Sequence, residues 1–146
     1  MNDSFYTNVI INAAQDKVWQ NLTRPSIMLE WMGDPDMDLQ IDTNWKINSP
    51  IIISGFHHTK FENKGIVLTF DIEQKLSFTH LSSVSQLPDI PESYSKLTFI
   101  LEPVGEHTLL SLNIENFPTE SIRKHLEFYW RATLVNIKNK TETSEK

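Results

Sequence analysis

PTESIRKHLEFYWRATLVNIKNK, residues 118–140, has the length and patterning of one long helix. Thr119 is placed to cap its first turn, Glu120 sets a negative charge at the positive end of the dipole, and Lys138 and Lys140 suit the other end. At roughly 100° per residue, Ile122, Leu126, Tyr129, Thr133 and Ile137 fall on one line. His125, Phe128 and Ala132 flank that line on one side, Trp130 and Leu134 on the other. The apolar arc drawn this way is roughly twice as wide as the 100° or so of an ordinary surface helix. Such a helix needs support on two sides. At about 1.5 Å per residue it runs some 30–35 Å, the width of six or seven strands at roughly 4.8 Å each. The expectation is a helix gripped by a curved sheet.

Composition bounds what such a container serves. The 146 residues are 39% hydrophobic and 22% charged, as expected of one globular domain spanning 1–146 rather than a disordered chain. No cysteine is present, which excludes disulfides, thiolate metal sites and thiol chemistry and fits a reducing cytoplasm. The opening MNDSFYTNVIINAAQDK lacks the basic region and apolar core of a signal peptide, and no apolar run is long enough to cross a bilayer. With a net charge of −6 and arginine only at 24, 123 and 131, neither nucleic acid nor an anionic membrane surface is an expected partner.

Upstream of the long helix the periodicity changes repeatedly. Residues 5–12 alternate and read as a strand; Ala14, Val18 and Leu22 recur every four residues and read as a short helix. Pro25 interrupts it and opens a second short helix carrying Met28, Trp31 and Met32, which stops at Gly33. Asp34, Asp36 and Asp38 imitate the start of a calcium loop, but Leu39 and Trp45 stand where its glycine and glutamate belong, so a turn is expected. Six strands follow. They begin with Met37, Leu39 and Ile41, turn at Asn44 and Asn48 with positive φ, and continue through 51–56 and 60–73. In the last of these Ile66, Leu68, Phe70 and Ile72 share a face, and Gly65 marks a bulge or bend. Leu76, Phe78 and His80 face inward next, followed by Leu97, Phe99 and Leu101, then Leu110, Leu112 and Ile114. The loop 81–95 is long and aperiodic, which suits either a lid or a self-packed Ω-loop. A tail at 141–146 is expected to fray.

This order of elements, with a wide-faced terminal helix, resembles the α+β helix-grip fold of the START-like (SRPBCC) superfamily. Several strings look like one branch of it, the activator of heat-shock (HSP-90) ATPase homologue-like family. They are Ala13-Ala14 with Val18-Trp19, Leu22-Thr23 with Pro25, Met28 and Trp31, and Gly65-Ile66-Val67 before Lys75-Leu76-Ser77-Phe78. Leu97-Thr98-Phe99, Gly105, Thr108-Leu109, Trp130, Leu134 and Ile137-Lys138 complete them. Asn48 replaces the usual glycine of a turn and can adopt the same geometry. The resemblance implies a cavity between the long helix and the concave sheet, roofed by the short helices. It carries over no catalytic motif.

The residues themselves offer no phosphate-binding glycine loop, nucleophile elbow or metal-binding histidine pair, so neither a metal nor a cofactor is expected. The expected binding residues are Met28, Trp31, Trp45, Phe70, Phe78, His80, His125, Leu126 and Tyr129, around a small apolar or amphipathic ligand such as a lipid or polyketide. Trp19 and Trp130 read as structural. A second reading is a cyclase- or hydrolase-type enzyme using His80, His125 or Tyr129 with Asp34 or Asp36. A third, implied by the family's name, is a chaperone partner. Nothing in the chain separates monomer from dimer.

Overall fold

Alternation of β-branched and aromatic residues with polar ones yields seven strands, which the computed structural model describes with the helices over residues 4–144. Strand β1 (Ser4–Ile11) leads to two short helices, α1 (Gln15–Thr23) and α2 (Pro25–Met32). Strands β2 (Gln40–Thr43), β3 (Pro50–His57), β4 (Thr59–Asp71), β5 (Lys75–Ser82), β6 (Ser95–Val104) and β7 (His107–Glu115) follow, and α3 (Glu120–Ser144) ends the chain. The strands form one antiparallel sheet in the order β1-β7-β6-β5-β4-β3-β2. Each is beside its sequence neighbour except β1, which pairs with β7. The long helix lies against β1 on one side and against α1 and α2 on the other. This is the helix-grip arrangement.

The inward residues of β6 and β7, Leu97, Phe99, Leu101, Leu110, Leu112 and Ile114, are all buried and form the centre of the core. On α3, Leu126, Trp130, Thr133, Leu134, Ile137 and Thr141 are buried, a stripe at helical spacing. That stripe is narrower than the sequence suggests. Phe128 is 80% exposed and Val135 48%, and Ala132 and His125 are also exposed, the latter at the rim of the space beneath the helix. What grips the helix from two sides is concentrated in Trp130, whose ring is 6.3 Å from that of Trp31 on α2 and 5.4 Å from that of Phe99 on β6. Thr133 and Thr141 are buried in the stripe because their hydroxyls donate to the carbonyls one turn earlier, Tyr129 at 2.6 Å and Ile137 at 2.7 Å.

The helix starts as its cap predicts, with the Ile122 amide donating to Thr119 Oγ1 at 3.1 Å. It ends later than Lys140, continuing to Ser144 because Thr141 is buried and Glu142 is fixed by Lys138 and by the Asn12 amide. Residues 145–146 of the expected frayed tail lie outside the described residues.

Three local expectations change. The segment after α2 is a 3-10 turn, Pro35–Met37, with Asp38 left-handed, so β2 starts only at Gln40. At the β2–β3 turn, positive φ falls on Trp45 and Asn48, while Asn44 keeps its place by accepting a bond from the Lys46 amide at 2.9 Å. In β4 the register slips between Val67 and Thr69, so the bulge is at Leu68 rather than at Gly65. The slip exchanges the faces before it: Val67 is fully buried and Ile66 exposed, while Phe70 beyond it stays on the inner side. Ile72 is exposed because β4 ends at Asp71 and it lies in the turn that follows. Gly65 has a different task. A Cβ there would come within 1.7 Å of the Thr79 carbonyl oxygen, so the neighbouring backbone of β5 approaches closely enough to admit only glycine.

Candidate functional site

A recess of about 410 Å³ lies between α2, α3 and the concave face of the sheet. Its elements arrive there for reasons visible in the sequence. Pro25 at the first position of α2 forces a corner after α1, and α2 then turns Met28 and Trp31 inward. The corner is locked by two indoles. Trp31 Nε1 donates to the Asn21 carbonyl and Trp45 Nε1 to the Thr23 carbonyl, each at 2.7 Å, so two carbonyls at the end of α1 gain partners. Inward alternation on β5 contributes Leu76, Phe78, His80 and Ser82, and β4 contributes Phe61 and Asn63.

Of the nine residues singled out from the sequence, Met28, Trp31, Phe78, His80, His125, Leu126 and Tyr129 line the recess. Trp45 and Phe70 do not. Their rings stack at 5.5 Å, Trp19 packs on Phe70 at 5.1 Å, and the group forms core beneath the helix corner. Conversely Trp130, read as structural, is part of the wall. Sequence reasoning also missed Leu22, Leu97 and Phe99 at the buried end, and Met37, Leu39, His57, Phe61, Asn63 and Val84. The signal for Leu97 and Phe99 was present, because strands facing a helix present the same residues to any space left beneath it. The β4 bulge hid Phe61 and Asn63, and the irregular turn after α2 hid Met37 and Leu39.

The recess is mostly apolar with one polar cluster. Its inner part is Leu22, Met28, Trp31, Leu76, Leu97 and Phe99, all buried. Its polar lining is concentrated on neighbouring strands, with Asn63 on β4 and His80 and Ser82 on β5, while the exposed His57 and His125 and the exposed Val84 also border it. No lysine, arginine, aspartate or glutamate lines it among the described residues. Asn63 and Ser82 are direct cross-strand partners, and His80 shares their face two residues before Ser82. Buried Oδ1 of Asn63 makes no hydrogen bond, which in a folded protein costs about 1–3 kcal/mol.

Protonation in the recess is biased toward neutrality. Burial, and next the nearby His125 imidazole, push the His80 imidazole down to about 4. Burial pushes the Tyr129 phenol up to about 12, and its hydroxyl donates to the Met32 carbonyl at 2.7 Å. That bond ties α3 to the end of α2. Asp34 and Asp36 are not among the lining residues. The loop at 81–95 is anchored by its own polar groups: Tyr94 donates to Asp89 at 2.5 Å, Lys64 pairs with Asp89 at 2.6 Å, and Asn116 donates to the Tyr94 carbonyl at 2.6 Å. Only Ser82 and Val84 of that stretch reach the recess.

A curved seven-stranded sheet around a C-terminal helix, with two short helices after the first strand, defines a protein of the helix-grip type. The profile of a family described as "Activator of Hsp90 ATPase homolog 1-like protein" matches residues 12–142, and the chain belongs to that family. No curated protein matches the chain. Among solved structures, it is similar to the solution structure of a Cytophaga hutchinsonii protein, at 29% identity and a TM-score of 0.81 over 99% of this chain and 97% of that one. A Chromobacterium violaceum crystal structure is alike in fold at 14% identity and TM-score 0.81, covering 95% and 96% of the two chains. The solution structure of the Aha1 dimer from Colwellia psychrerythraea is alike in fold at 18% identity and TM-score 0.76, with 96% of each chain covered. Among the described residues no helix is long and apolar enough to cross a membrane.

Proposed function

We propose that the protein binds a small apolar or amphipathic molecule, of lipid- or polyketide-like character, in the recess beneath α3. One observation carries the reading: a volume of about 410 Å³ whose inner walls are leucine, methionine, phenylalanine and tryptophan from both the helical and the sheet layer. Volumes of roughly 300–1,000 Å³ with apolar walls and a few polar groups are the usual form of small-molecule sites. Met28, Trp31, Phe78, His80, His125, Leu126 and Tyr129 are the contacts in this reading. The cysteine-free composition fits a reducing compartment, and we place the activity in the cytoplasm.

Acid–base catalysis with Asp34 or Asp36 is disfavoured, since neither carboxylate lines the recess that the histidines share. A chaperone-directed role is suggested by the family's description alone, and a pull-down that retains a chaperone would argue for it. The ligand reading is tested by thermal denaturation with 1-decanol and 2-naphthol. A bound probe at a hundred times its Kd stabilises by about 2.7 kcal/mol, which raises the Tm by roughly 5–10 °C. Unchanged Tm together with unchanged tryptophan fluorescence sinks the reading.

A further inference from the structure

The polar stretch of the recess has a composition that an apolar guest alone does not account for. Asn63 and Ser82 face each other across β4 and β5, His80 adjoins them, and the buried amide oxygen of Asn63 lacks a partner. We propose that Asn63, His80 and Ser82 form a subsite for the uncharged polar end of an amphipathic ligand, a hydroxyl or a primary amide. The assignment rests on the ligand-binding reading above and narrows its chemistry.

Each residue type supports an uncharged group. An asparagine amide offers both acceptor and donor, and its broad terminal torsion lets either end turn into the recess. A serine hydroxyl does the same. With His80 held well below its ordinary value by burial, its imidazole is neutral at physiological pH and also has one donor and one acceptor. Matching donors with acceptors is what a ligand hydroxyl or amide requires. A carboxylate or phosphate requires a cationic or donor-only site, and no lysine or arginine lines the recess among the described residues. An anion placed beside neutral His80 would be desolvated without a counter-charge. The cross-strand pairing of Asn63 with Ser82 sets the orientation: the polar end meets the asparagine and serine, and the apolar body lies against the buried Trp31, Leu76 and Phe99.

Three probes with one hydrocarbon chain separate the possibilities: 1-decanol, decanamide and decanoate, titrated at neutral pH below their micellar concentrations. Alcohol and amide are expected to bind at least about tenfold more tightly than the carboxylate. Asn63→Leu and Ser82→Ala should each weaken the alcohol and the amide by about three- to tenfold and weaken decanoate less. If Asn63→Leu does not fold, Ser82→Ala and the nitrogen chemical shifts of His80, which move on direct hydrogen bonding to decanol, decide the matter. Decanoate binding as tightly as decanol, or variants and His80 shifts indifferent to the head group, overturns the subsite while the recess remains a ligand site. If none of the probes binds, the ligand reading fails and the subsite with it.

Discussion

At the scale of single residues, His80 couples the recess to pH. Its imidazole is neutral in the folded protein down to about pH 4, whereas an unfolded-chain histidine protonates near 6.5. Between those values the unfolded state binds the extra proton, so stability falls as the pH is lowered through that window and is unaffected by His80 above it. The span sets an upper limit of about 3 kcal/mol, less where water in the recess solvates the imidazolium. Urea denaturation at pH 7.5 and 4.5 should therefore show a smaller acid loss in His80→Gln than in the parent. Equal losses would mean that His80 is not held neutral. Gly65 makes a steric prediction instead. With the Thr79 carbonyl oxygen 1.7 Å from any added Cβ, Gly65→Ala should cost about 2–4 kcal/mol by separating β4 from β5. The position reads in the sequence as a bend, since glycine is all it displays; the cause, a close approach of the next strand, is tertiary and has no local signature.

Elements were legible where one periodicity persisted. The inward sets on β6 and β7 and the cap on α3 follow from alternation and from Thr119, and the structure keeps them. Legibility ended where a register changed partway. One extra residue at Leu68 reversed Ile66 and Val67, so Phe61 and Asn63 of the recess were assigned to no site. Trp45 shows the opposite limit: its size and type suited a ligand wall, but its N–H is committed to the end of α1 and its ring to Phe70. Replacing it with phenylalanine should cost about 1–2 kcal/mol through the orphaned Thr23 carbonyl and leave probe affinity unchanged. Loss of probe binding in Trp45→Phe with full stability would restore Trp45 to the site. The apolar width of α3 was overestimated for a related reason. Counting hydrophobic residues around a helix does not separate Trp130, which both layers grip, from Phe128, which neither reaches.

The whole molecule is a sheet that closes on its helix tightly at one end and loosely at the other. On the tight side α3 packs on β1, and Leu112 and Ile114 are fully buried within a continuous core. On the loose side α2 holds the helix off the sheet through Trp31 and the Tyr129–Met32 bond, and about 410 Å³ stays free. Two enlargements of similar chemistry should therefore behave differently. Leu112→Phe adds volume where none is free and should cost about 1–3 kcal/mol, as overpacking does. Leu126→Trp extends a recess-lining side chain of α3 into vacant space. It should change stability by less than about 1 kcal/mol while weakening decanol at least tenfold. Denaturant titration and calorimetry on both variants read the two quantities separately. If Leu126→Trp is as costly as Leu112→Phe, the space beneath α3 is not available to a guest, and the helix is gripped equally along its whole length.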